Sequence, residues 1–104
     1  MNNWIDAGRD GSLADGEYIT LEIDDQPVAL FRVEGDYYAI RDTCTHDGAE
    51  IASGRLEGCN IVCPRHGAKF CLKTGAVLSP PAYENVETYD VRTFEGRLQI
   101  REKP

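Results

Sequence analysis

Cys44-Thr45-His46 and then Cys63-Pro64-Arg65-His66, with residues 47–62 between them, organise the reading of this 104-residue chain. Each stretch offers one thiolate and one imidazole, and both histidines of the chain fall here. Cys and His in short pairs are metal-ligand chemistry. Common zinc fingers pair like with like, as C-x₂₋₄-C and H-x₃₋₅-H. Here each short pair is mixed, which is unusual for those fingers. A single structural Zn²⁺ on Cys₂His₂ is the rival reading.

The motif Cys44–His46 with Cys63–Gly67 resembles that of Rieske proteins, and Lys73-Thr74-Gly75 through Ser79-Pro80-Pro81 continues the resemblance. The resemblance implies one [2Fe–2S] cluster, with Cys44 and Cys63 on one iron and His46 and His66 on the other. Two ferric ions, two sulfides and two thiolates sum to a neutral oxidised cluster, and neutral imidazoles add nothing. An electron enters a neutral site more easily than the anionic site that four cysteines make. Potentials rise accordingly, from about −400 mV to roughly −150 to +300 mV.

The neighbours of the ligands narrow that range. Respiratory members of the family carry hydroxyl side chains where this chain has Ala68 and Phe70. They also carry a disulfide between positions that are Ala49 and Arg65 here. Fewer donors to sulfur mean a lower potential, so a midpoint at or below about −100 mV is expected. The resemblance is to the soluble Rieske-type ferredoxins that serve aromatic-ring dioxygenases. It implies a one-electron carrier in aromatic hydrocarbon catabolism. Its partners would be an NAD(P)H-dependent flavin reductase and a terminal ring-hydroxylating oxygenase. A ferredoxin-like subunit of another redox complex, or a redox sensor, is the alternative, and a structural zinc protein a distant third. An enzyme in its own right is not expected. No nucleophile–base set is visible, and no further His remains for a mononuclear iron triad. His46 and His66 are expected near the surface, as an electron exit, with Arg65 beside them as a docking cation or a solvated loop residue.

Length and charge agree. One domain, 1–104, can bury a single core. The formal net charge is −7, which disfavours nucleic acid. Met1-Asn2-Asn3-Trp4 opens no basic-then-apolar leader, and no segment approaches the ~20 apolar residues of a membrane span. A cytoplasmic monomer is expected. Cys59 and Cys71 are then free, buried thiols, with a bridge between them as the alternative.

The rest reads as strands and turns. Ile19, Leu21 and Ile23 alternate with polar residues, Asp24-Asp25 turns, and Val28–Val33 follows. Glu34-Gly35-Asp36 turns into Tyr37–Ile40, and Glu95-Gly96-Arg97 joins Tyr89–Arg92 to Leu98–Ile100. No helical period and no internal repeat stands out. The expected fold is all-β, an antiparallel sandwich or barrel of short strands with an inserted cluster-binding subdomain, its loops at about 42–81. Gly67 is the candidate for a backbone N–H close to sulfide, and Ser79-Pro80-Pro81 for a stiff lid.

Overall fold

The computed structural model describes residues 3–103, so Met1, Asn2 and Pro104 lie outside the described residues. All regular structure described is β. Six strands form one antiparallel sheet in the order β1-β9-β8-β4-β3-β2. They are β1 (Ile5–Arg9), β2 (Tyr18–Ile23), β3 (Gln26–Val33), β4 (Asp36–Arg41), β8 (Thr88–Phe94) and β9 (Arg97–Glu102). Between β4 and β8 the chain makes a second sheet of β5 (Leu56–Glu57), β6 (Asn60–Val62) and β7 (Lys69–Cys71). The all-β fold with an inserted subdomain stands as expected.

Turn chemistry sets the hairpins. Asp24 and Asp25 have φ of 51° and 63°, Glu34 and Gly35 of 52° and 84°, and Glu95 and Gly96 of 51° and 79°. Two successive positive φ values give the tight turn whose twist matches that of paired strands. Strand β1 was not anticipated. Gly8 sits at a bulge, with a register shift between Asp6 and Gly8 against β9, and the bulge breaks the alternation by which strands are read.

The unbroken apolar run Val28–Phe31 has a structural reason. Val28 and Leu30 belong to a core inside the large sheet with Ala39, Tyr89, Leu98 and Ile100. Ala29, Phe31 and Val33 face the other way, onto Ile51, Ile61, Phe70 and Leu72 of the inserted region. Successive strand residues point to opposite faces, so β3 is apolar on both because it is covered on both. Ala39 and Ile40 divide β4 in the same manner. The inserted subdomain thus rests on the β3–β4 ribbon as its floor.

Candidate metal centre

Cys44 and Cys63 each open a six-residue knuckle of one design. The Cys44 N–H donates to the Ala49 carbonyl (2.6 Å), and the Gly48 N–H returns to the Cys44 carbonyl (2.8 Å). In the second knuckle Cys63 donates to Ala68 (2.7 Å) and Gly67 to Cys63 (3.0 Å). Gly48 and Gly67 have φ of 78° and 79°, a conformation that glycine adopts without strain. Gly67 therefore closes its knuckle, and its N–H is spent on the Cys63 carbonyl instead of facing a sulfide.

A third knuckle repeats the scheme. Cys71 donates to Ala76 (2.9 Å) and Gly75 to Cys71 (2.7 Å). The chain therefore does carry a short repeat, contrary to the expectation. Its signal is a Cys followed by Gly-Ala at the fifth and sixth positions, at Cys44, Cys63 and Cys71.

Cys44 and Cys63 are each 1% exposed, whereas His46 and His66 are exposed at the tip. Their rings stand edge to face with centroids 5.0 Å apart. Burial pushes the Cys44 thiol up, against the backbone N–H groups of His46 and Asp47, which favour its thiolate; Cys63 lies within hydrogen-bond reach. Two sulfurs lie inside and two imidazoles outside. One tetrahedral zinc would draw all four ligand atoms within about 4 Å of one another. Among the described residues the compact set is His46, Asp47 and His66, whose donor atoms lie within 4.8 Å of one another, and neither cysteine joins it. Two thiols buried below two exposed imidazoles form a donor set that would fit a [2Fe–2S] cluster.

Asp42, which the sequence reading passed over, holds the base of the first knuckle. It is 7% exposed, and its Oδ1 accepts from the N–H groups of Ile51 (2.7 Å) and Ala52 (2.9 Å). Asp42→Ala would leave two buried donors without an acceptor. The expected cost is about 2–4 kcal/mol, measured by urea denaturation, with Asp42→Asn losing much less. A loss below about 1 kcal/mol for the alanine variant would refute this role.

The third loop covers one side. Ser79 Oγ accepts from the Lys69 N–H (3.0 Å), and the Thr45 hydroxyl donates to the Glu84 carbonyl (2.7 Å), so the first knuckle and the strand that follows the second are tied to it. The Pro80–Pro81 bond is cis. Thr45, His46, Pro81, Tyr83 and Glu84 line a shallow groove beside the imidazoles, and Tyr83 is 83% exposed. Cys59 and Cys71 are unbridged, as expected, but half-buried. Burial raises the Cys59 thiol, while the Thr74 hydroxyl lowers that of Cys71. Arg65 is not free. Its Nε lies 3.6 Å from Asp47.

Comparison with known proteins agrees with this geometry. The ferredoxin component of the naphthalene 1,2-dioxygenase/salicylate 5-hydroxylase systems of a Ralstonia species is 34% identical over 99 residues, covering 95% of each chain. The 3-phenylpropionate/cinnamic acid dioxygenase ferredoxin subunit of Shigella flexneri is 46% identical over 82 residues, covering 77% of each. A chain from the complex of reduced oxygenase and oxidised ferredoxin in carbazole 1,9a-dioxygenase superposes with a TM-score of 0.90 at 31% identity, covering 97% of this chain and 95% of its own. No helix among the described residues is long and apolar enough to cross a membrane. Residues 3–90 match the Rieske [2Fe-2S] domain, and with two buried thiols beneath two exposed imidazoles the chain belongs to that family.

Proposed function

We propose that this chain is a one-electron carrier, itself not an enzyme, that holds one [2Fe–2S] cluster on Cys44, Cys63, His46 and His66. It takes electrons from an NAD(P)H-dependent flavin reductase and delivers them to a terminal ring-hydroxylating oxygenase. It works as a cytoplasmic monomer, a single domain over residues 1–104. The observation that carries this reading is the division of the ligand set, with Cys44 and Cys63 at 1% exposure below and both imidazoles at the surface above.

When bound, the cluster supplies reversible one-electron chemistry. The residues do the remainder. Cys44 and Cys63 exclude water from the sulfur side. His46 and His66 present ring edges to a partner, so the path out of the protein is short. The groove of Pro81 and Tyr83 beside His46 offers apolar contact area, which interfaces favour at their centre. The relatives named as ferredoxin components, and the oxygenase–ferredoxin complex among the similar structures, support this choice of partner.

The test is an equilibrium redox titration followed by low-temperature EPR, with iron and zinc analysis of the same sample. The expected result is a rhombic signal whose average g lies well below that of four-cysteine clusters, with a midpoint at or below about −100 mV. A colourless, EPR-silent protein with zinc in place of iron, unchanged after anaerobic reconstitution, would overturn the proposal.

A further inference from the structure

The two imidazoles at the tip do not have the same surroundings. His66 Nε2 lies 3.3 Å from Asp47 Oδ2. The other oxygen of that carboxylate, Oδ1, accepts from the Ala49 N–H at 3.0 Å. Asp47 is therefore fixed from within the first knuckle and aimed at the ligand of the second. Its side chain is 22% exposed against 43% for that of His66, so water screens it only in part. On the other side, His46 faces the groove of Pro81, Tyr83 and Glu84. The Asp47 carboxylate also lies within 4.8 Å of a His46 ring nitrogen, but among the described residues no carboxylate stands within ion-pair distance of that ring.

We propose that Asp47 is a redox-tuning, positioning residue: its carboxylate at the outer nitrogen of His66 lowers the midpoint potential and makes the two histidines electronically inequivalent. The inference rests on the carrier reading above and adds a residue that the ligand motif does not contain. Two effects act in one direction. A carboxylate at the distal nitrogen fixes the ring and makes a ligand imidazole a stronger donor. A fixed negative charge beside the site also favours the more positive, oxidised iron. Arg65, at 3.6 Å from the same oxygen, offsets part of that charge. Its side chain is 65% exposed, so the offset is weakened by solvent.

The contact also orders the site. His66 meets Asp47 through Nε2, which leaves Nδ1 for iron. The carboxylate therefore selects the ring orientation as well as the charge. His46, without such a partner, keeps its outer edge open toward the groove. Both rings are exposed; His66 is the one held by a carboxylate, and His46 is the one that borders the groove.

The experiment compares the iron-loaded wild type with Asp47→Asn, Asp47→Ala and Glu95→Gln. The amide of Asp47→Asn can still accept from Ala49 but carries no charge. Glu95→Gln removes the same charge from the β8–β9 turn, at the end of β8 away from the third loop. Midpoints come from equilibrium titration, and histidine nitrogen couplings from pulsed EPR of the reduced state. Both Asp47 variants are expected to titrate at a higher potential than the wild type, with Glu95→Gln unmoved. In Asp47→Asn, at unchanged iron content, one of the two nitrogen couplings should shift. An Asp47→Asn protein with the wild-type midpoint and couplings overturns the assignment, as does an equal rise in Glu95→Gln. A wild-type sample without the reduced-state signal would instead overturn the carrier reading itself.

Discussion

Replacing Cys63 by alanine should leave a chain that binds almost no iron and carries no electrons between reductase and oxygenase. Cys63 is fully buried beside Cys44, in a knuckle whose two backbone bonds fix its position. Alanine preserves those bonds and the small side-chain volume. What disappears is one of the two thiolates on the inner side, and the imidazoles at the exposed tip cannot reach that place. Iron per chain is expected to fall by more than about tenfold, and thermal stability with it, because a metal group that joins two loops contributes its binding energy to the fold. Cys59→Ala and Cys71→Ala are the controls. Cys59 lies against Tyr38 and Cys71 against Thr74, whereas Cys44 and Cys63 lie against each other, and both control variants should load iron as the wild type does. Iron retained in Cys63→Ala, or lost in Cys71→Ala, would mean that the third knuckle supplies a ligand.

The third knuckle marks where sequence reading stops. The four proposed ligands were legible because mixed Cys–His pairs are rare and both histidines fall in them. The hairpins β2–β3, β3–β4 and β8–β9 were legible because their turn residues and alternating strands agree. Three things were hidden. Strand β1 has its period broken at Gly8. The small sheet β5–β6–β7 has strands of two and three residues, too short for any period to show. The knuckle at Cys71 shares its backbone scheme with the ligand knuckles but has Thr74 where the second has His66, so a search for ligands passes it by. Asp42 and Asp47 were missed for a different reason. Each acts through a contact that exists only after folding, Asp42 on residues nine and ten positions away and Asp47 on the histidine of the other loop. A lone Asp in a loop carries no sign of either.

Those hidden contacts lead to the second large effect, at a glycine that touches no ligand. Gly54→Ala should destabilise the protein by about 3 kcal/mol or more and impair iron loading. A Cβ at Gly54 would collide with the Val62 carbonyl oxygen and stand 2.9 Å from its carbon. Those are backbone atoms of β6, which rotation of a side chain cannot relieve. The collision lies on the line that couples the two knuckles. Asp42, two residues before Cys44, holds Ile51 and Ala52. The Gly54 N–H donates to the Ile51 carbonyl (2.9 Å), the Val62 N–H donates to the Arg55 carbonyl (3.0 Å), and Cys63 follows Val62. Pushing Val62 away from Gly54 changes the distance between the two loops, and the ligand set with it. Gly58 separates this cause from ordinary backbone strain. Its φ is +61° with open space around it, so Gly58→Ala should cost only about 1 kcal/mol and leave loading intact. Equal losses in the two variants, read from urea denaturation and from iron per chain, would show that the close approach of Gly54 to Val62 does not set the spacing of the site.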